Sequence, residues 1–254
     1  VAWLAIAPVK GMHLHEAEQL DLERHGAAGD RRFVLVDDRW HLVNGKRLGR
    51  MVQVHPAWDA ASGVLTLRFP DGAELSEPVQ LGEEREFFAY RGARAARELI
   101  GPWSAVLSAW AGSEVHLVQP SEPGNGLDRT GRGGVTLLST ASLDALARAA
   151  GADAVDRRRF RMTVGVAGIG PFSEEGWLGS SLRIGEAVVR VAGNVGRCAV
   201  TTQDPDSGSV DLPTLDLLHE LRHDVPTTEP LPFGVWGEVA VPGRVRVGDP
   251  LELA

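Results

Sequence analysis

Hydrophobic positions along this chain fall mostly in short runs with period-two alternation, the pattern of half-buried strands. Val34-Leu35-Val36, Val64-Leu65-Thr66-Leu67, Val115-His116-Leu117-Val118, Val188-Val189-Arg190-Val191 and Val245-Arg246-Val247 each read as a strand. Turn signals separate them at Ala61-Ser62-Gly63, Asp71-Gly72, Asp206-Ser207-Gly208 and Pro242-Gly243. In three places the period lengthens to that of a helix. One helix is expected after Gly101-Pro102, with Trp103, Val106, Leu107 and Trp110 at helical spacing. A second opens at Ser139-Thr140, runs through Leu143 and Leu146, and stops at Gly151. A third runs from Pro213 to Arg222 with Leu215, Leu218 and Leu221 on one face. The pattern predicts a mainly β chain with peripheral helices (α+β), of β-barrel type.

The one long polar, glycine-rich stretch is Pro120 to Gly134. It reads as a surface loop or lid and divides the chain into a strand-rich N-terminal domain, residues 1–119, and a C-terminal domain, residues 120–254, packed on each other. No run of 18 apolar residues is present, so no membrane span is expected. The N-terminus lacks a secretory pattern, and a cytoplasmic location is the expectation. The net charge of −8, from 34 acidic and 26 basic residues, argues against nucleic-acid binding, which depends on clustered Lys and Arg.

A single cysteine excludes an intramolecular disulfide and any Cys-built zinc or iron–sulfur site. It leaves an inert buried thiol or one functional thiolate, and a lone cysteine is more often the former. Its surroundings, Gly196-Arg197-Cys198-Ala199-Val200-Thr201-Thr202-Gln203-Asp204-Pro205-Asp206-Ser207-Gly208, set it beside a cation that favours the thiolate, the form that binds soft metals. Three other segments offer anion holders. Lys10 in Pro8-Val9-Lys10-Gly11 and Arg31 in Gly29-Asp30-Arg31-Arg32-Phe33 can hold a phosphate together, or be plain surface cations. Ser139 and Thr140 sit at a helix N-terminus, where free N–H groups accept anions but where such residues also cap ordinary helices. Arg157-Arg158-Arg159-Phe160-Arg161 precedes the Thr163–Val166 strand; in a strand, Arg159 and Arg161 project to one face. His13 and His15 are too few for a metal site and are expected to be exposed. Glu174-Glu175 before Trp177 reads as a polar loop with an aromatic anchor rather than a catalytic acid pair.

Taken in order, PVK, GDRRF, ST-SL, RFR, E-x-x-W and RC-x-x-T-T-x-DP-x-x-G resemble the MOSC family, the domain related to the C-terminus of molybdenum cofactor sulfurase. The spacing is most similar to the branch containing the mitochondrial amidoxime reducing component and its bacterial relatives, and the likeness runs from Pro8 to Pro250. The resemblance implies a strand-rich N-terminal domain packed on a β-barrel-type MOSC domain, with the molybdenum cofactor (molybdopterin) between them. It implies Cys198 as the protein's thiolate to molybdenum and Asp204 beside the metal. Lys10, Arg31, Ser139, Thr140, Arg159, Arg161, Thr163, Arg197 and Thr202 are the implied cofactor contacts. Two motifs depart from the family pattern: Gly11 stands where serine is usual, and Met162-Thr163 replaces Pro-Asn. The implied activity is reduction of small N-hydroxylated molecules (amidoximes, hydroxylamines, hydroxamic acids). With one cysteine and no GxGxxG fingerprint, electrons are expected from a separate ferredoxin, flavoprotein or haem protein. Two other readings are a sulfur-carrier module using a Cys198 persulfide, and a molybdopterin-binding protein without turnover.

Overall fold

The structure, a computed structural model, describes residues 1–90, 92–122 and 134–254. It is mainly β, with three α-helices among the described residues at Trp103–Ala111, Thr140–Ala149 and Thr214–Arg222. The loop expected between Pro120 and Gly134 has its interior, 123–133, outside the described residues.

The largest sheet has eight strands in the spatial order Leu251–Leu253, Ser181–Ile184, Ala187–Gly196, Pro232–Val241, Gly134–Ser139, Val164–Val166, Trp3–Ile6 and His15–Glu16. Among the described residues of this sheet, only the strands Gly134–Ser139 and Val164–Val166 pair in parallel, and the helix Thr140–Ala149 lies in the connection that parallel neighbours require. The strand Ala187–Gly196 shifts register against Pro232–Val241 three times, between Val188/Val189, Val191/Gly193 and Asn194/Gly196. Such bulges bend a strand and re-aim its end; this strand ends two residues before Cys198. A five-stranded sheet orders Gln80–Ala89, Gly92–Ile100, Val115–Pro120, Val34–Asp37 and Leu42–Val43, and two three-stranded sheets complete the set.

The strands Trp3–Ile6, Gln19–Glu23 and Gly26–Ala27 pack with the second half of the chain. Leu4, Ile6, Leu20, Leu22 and Ala27 share one core with Val135, Val164, Leu182, Val189, Val235 and Val245. A separate core holds Val9, Met12, Phe33, Leu35, Met51, Leu65, Leu99, Trp103 and Leu117. Up to Phe33 the chain therefore passes between cores three times, at Ala7–Val9, between Met12 and Leu20, and at Gly29–Phe33. The first and third of these crossings run side by side: Lys10 N–H donates to Phe33 O at 2.9 Å, Phe33 N–H to Pro8 O at 3.0 Å, and Arg31 N–H to Ala7 O at 2.7 Å. Pairing of the crossings is what brings Lys10 and Arg31 together from twenty residues apart.

The strands expected from alternation form, as do the three helices, with two corrections. The segment Arg157–Phe160 is a 3-10 turn capped by Asp156, whose carboxylate accepts Arg158 N–H at 2.8 Å, and Arg161 is left-handed at φ 52°. Arg159 and Arg161 therefore do not share a strand face. In the third helix Leu218 is buried but Leu221 is 37% exposed; the inward face is Thr214, Leu218 and Arg222. Arg222 can face inward because Glu175 pairs with it across the contact.

Candidate functional site

A cavity of about 560 Å3 opens where the two halves meet. That size is in the range of small-molecule and cofactor sites, roughly 300–1,000 Å3. The N-terminal half contributes Lys10, Gly11, Arg31, Asn44 to Lys46, Gly49 and Tyr90; the C-terminal half contributes Arg158 to Met162, Val195 to Cys198, Gln203, Asp204 and Glu229. Seven basic and two acidic residues line it, in a chain whose net charge is −8.

Backbone geometry fixes these side chains. Arg31 and Arg161 both hold a left-handed φ, 50° and 52°, which L-residues adopt only when surroundings enforce it. For Arg31 the enforcement is its buried neighbour Asp30, which accepts Ala7 N–H at 2.8 Å and pairs with the Arg31 guanidinium. For Arg161 it is the preceding 3-10 turn together with a bond from its Nη2 to Met12 O at 2.8 Å, a tie between the halves. Arg158 and Arg159 reach the loop after Cys198. Arg158 bonds Asp206 at 2.6 and 2.8 Å, and Arg159 makes a fork to Asp211 at 2.6 and 2.7 Å. Asp206 and Asp156 hold the Arg158 guanidinium charged by raising its pKa further. Arg159 is only 9% exposed, and its Nε is buried without a hydrogen-bond partner.

Cys198 is exposed and begins the 3-10 turn Ala199–Thr202, with Thr201 N–H and Oγ1 both donating to its carbonyl at 3.0 Å. Arg197 turns its guanidinium to neighbouring segments: to Phe233 O, to Phe160 O at 2.9 Å and to Met162 Sδ at 2.9 Å. It thereby locks the Cys198 segment to the arginine turn and the adjacent strand. Asp204 shapes its own loop. Its Oδ1 accepts Ser207 N–H at 2.7 Å and Asp206 N–H at 3.1 Å, and these bonds, with the Arg159 charge, hold its pKa below the usual carboxylate range.

The halves close on each other through two glycines. A Cβ on Gly49 would lie 2.5 Å from Gly208 O, and one on Gly208, which has φ +76°, 2.2 Å from Gly49 O. Gln203 Nε2 donates to Gly45 O at 2.9 Å beside this contact.

Of the residues expected at the site, Lys10, Arg31, Arg159, Arg161, Arg197, Cys198 and Asp204 line the cavity, and Ser139, Thr140, Thr163 and Thr202 are not among its lining residues. Ser139 is fully buried and caps its helix, its Oγ accepting Ala141 N–H at 3.1 Å. The anion at that helix end is internal: Glu174, fully buried, accepts Ser139 N–H at 3.3 Å and Ser142 Oγ–H at 2.9 Å. Burial pushes the Glu174 carboxyl up, against the pull of those bonds. Glu174 is thus no part of an exposed polar loop. The Thr163 hydroxyl meets Thr136 Oγ1 at 3.2 Å, and Thr202 Oγ1 donates to Ala199 O at 2.7 Å. His15 is exposed, but His13 is half-buried and stacks on His55 with ring centroids 3.8 Å apart; burial, then the His55 and Arg158 charges, lower its pKa.

Tyr90, Asn44 to Lys46, Gly49, Gln203 and Glu229 line the cavity without having been signalled by sequence. Lys10 Nζ lies 5.8 Å from the Tyr90 ring centroid, a cation–π contact. The local signal for Tyr90 was slight: the chain's only tyrosine, beside a glycine turn.

Two family models match the chain: the MOSC N-terminal beta barrel domain over residues 1–97 and the MOSC domain over residues 130–252. The chain belongs to the MOSC family. The cavity of this MOSC protein draws its lining from both matched regions. Mitochondrial amidoxime-reducing component 1 of Mus musculus is 31% identical over 105 residues, 39% of this chain and 30% of the mouse protein. Mitochondrial amidoxime reducing component 2 of Homo sapiens is 36% identical over 98 residues, 36% of this chain and 29% of the human protein. These alignments take in less than a third of either relative's length. Component 1 of Xenopus laevis aligns over 99% of this chain and 81% of the frog protein at 26% identity. Among solved structures, the YUAD protein from Bacillus subtilis aligns over 99% of this chain and 92% of that one, with 16% identity and a TM-score of 0.49. No helix among the described residues is long and apolar enough to cross a membrane.

The donor set of the cavity fits an anionic, metal-bearing organic cofactor. Among the described residues no group of three or more His, Cys, Asp or Glu could hold a metal ion. Cys198, exposed at the cavity, is a soft donor that suits a metal bringing further ligands of its own. The cations from both halves, and the orphaned Nε of Arg159, suit a phosphate or another anionic group.

Proposed function

We propose that this MOSC protein is a molybdenum-cofactor-dependent oxidoreductase that reduces N-hydroxylated small molecules with electrons from a separate redox partner. The observation that carries the reading is the convergence of Cys198 with Lys10, Arg31, Arg159 and Arg161 on one cavity. In this reading Cys198 provides the protein's thiolate, and Lys10, Arg31 and Arg161 hold the anionic parts of molybdopterin. Arg159, already forked to Asp211, offers its remaining Nε–H. When bound, the cofactor supplies two-electron chemistry in which N–OH, two electrons and two protons become N–H and water. Asp204 stays ionised and serves as loop anchor rather than proton donor, because its carboxylate is held low by its own loop's N–H groups. The names of the mouse, human and frog relatives support an amidoxime as the substrate.

The test is direct. Protein from a cofactor-competent host, given reduced methyl viologen, is expected to convert benzamidoxime to benzamidine, and with NADH alone it is not. Failure of molybdenum-replete protein to reduce any N-hydroxylated compound with excess reductant ends the reductase reading. The exposure of Cys198 favours one alternative, a persulfide carrier, which predicts labile sulfur on metal-free protein.

A further inference from the structure

The cavity wall holds two carboxylates, Asp204 and Glu229, and they differ in what they can offer a ligand. Asp204 is tied to the N–H groups of Ser207 and Asp206. The Glu229 carboxylate has no hydrogen bond or ion pair among the described residues, and its residue is half-buried in the wall.

Its position is strongly determined. Asn194, fully buried, anchors the segment that carries it: Asn194 N–H donates to Thr228 Oγ1 at 3.1 Å, and Asn194 Oδ1 accepts Thr228 N–H at 3.3 Å. Thr227 Oγ1 donates to the Glu229 carbonyl at 2.8 Å. Beyond it, Arg197 N–H donates to Leu231 O at 3.1 Å, with Leu231 held at a left-handed φ of 47°. Between these ties Glu229 lies over Gly196. A Cβ on Gly196 would stand 3.0 Å from Glu229 Cβ, 3.0 Å from Pro230 O and 3.3 Å from Glu229 Oε2. Glycine at 196 thus leaves room for a carboxylate two residues before Cys198.

We propose that Glu229 is the specificity-determining carboxylate of the cavity, accepting the amino N–H of an amidoxime and pairing with the amidinium product. This rests on the reductase reading above. The chemistry of the pair is specific. An amidinium presents two parallel N–H donors to two carboxylate oxygens, the fork that makes guanidinium–carboxylate pairs strong. An amidoxime or N-hydroxyguanidine carries an amino donor on the carbon next to the N–OH nitrogen. A hydroxamic acid carries a carbonyl acceptor there, which sets acceptor against acceptor. The cavity is therefore selective for substrates with the amino group.

Two measurements on the cofactor-bearing protein test this. Calorimetry with benzamidine reads recognition without turnover: Glu229→Gln is expected to weaken binding roughly tenfold or more, the usual size of a charge-assisted pair. Steady-state kinetics with reduced methyl viologen read selectivity: the ratio of kcat/KM for benzamidoxime over benzhydroxamic acid is expected to fall by about tenfold in Glu229→Gln. Equal benzamidine affinity in wild type and variant, or no binding by wild type, overturns the assignment whatever the enzyme reduces. Benzamidine binding that depends on Glu229 in a protein that reduces neither substrate overturns the reductase reading and leaves the recognition site standing.

Discussion

Gly49→Ala probes a contact that joins the two halves at the cavity wall. Gly49 has no positive φ, so alanine there adds no backbone strain; its methyl would meet Gly208 O at 2.5 Å, backbone that no rotamer change relieves. The loops must part by several tenths of an ångström. Parting strains the Gln203 Nε2–Gly45 O bond of 2.9 Å and the weaker Gln53 Nε2–Ser207 O contact of 3.4 Å. Overpacking costs about 1–3 kcal/mol and a lost hydrogen bond about 0.5–1.5 kcal/mol, so the sum is about 1.5–4.5 kcal/mol. With a urea slope of about 2–3 kcal/mol/M, the unfolding midpoint should fall by about 1 M. Gly208→Ala meets the same contact from the other side and adds left-handed strain of about 1–2 kcal/mol, so it should be the worse variant. Gly176→Ala is the control, since a Cβ there meets nothing within 4 Å. Urea unfolding of the three variants, followed by tryptophan fluorescence, orders them. A Gly49→Ala midpoint equal to that of Gly176→Ala would refute the reasoning and show that the loops yield freely.

Two further predictions rest on single side chains. Cys198→Ala should leave the unfolding midpoint within experimental scatter, because the thiol is exposed, and should lower bound molybdenum to a small fraction of wild type by elemental analysis; a metal-replete Ala variant removes Cys198 from the site. Glu174 is raised above the ordinary carboxylate value of 4.5 by burial, so the fold binds its proton more tightly than the unfolded chain does. That contribution is complete below the unfolded value and is lost as pH rises through the folded value, so the non-ionising Glu174→Gln should gain stability relative to wild type as pH climbs above 4.5. Urea midpoints of the two proteins across about pH 4 to 8 check the sign, and a constant difference contradicts it.

Much of this molecule is local in origin and therefore legible along the chain. Alternation in Val188–Val191 reports a strand because the side-chain period of a strand is two wherever it lies, and the short apolar run Val34–Val36 reports one buried on both faces. Ser139 announces a helix start because capping involves the next few residues only. The single cysteine, the Lys10 and Arg31 motifs and the Arg-Cys motif also stand out as one-dimensional facts, and with them the family. What local pattern cannot carry is which distant groups meet. The run from Arg157 to Arg161 looks uniform in sequence, yet Arg158 and Arg159 pair with Asp206 and Asp211, about fifty residues on, while Arg161 turns left-handed towards Met12 O. Ser139 faces an anion as its helix end suggests, but that anion is Glu174, brought there by packing. Tyr90, Gly49 and Glu229 belong to the cavity because the halves close on each other, and nothing beside them in sequence encodes it. Elements arise from interactions over three or four residues; the site arises from contacts across as many as two hundred, and only tertiary packing decides those.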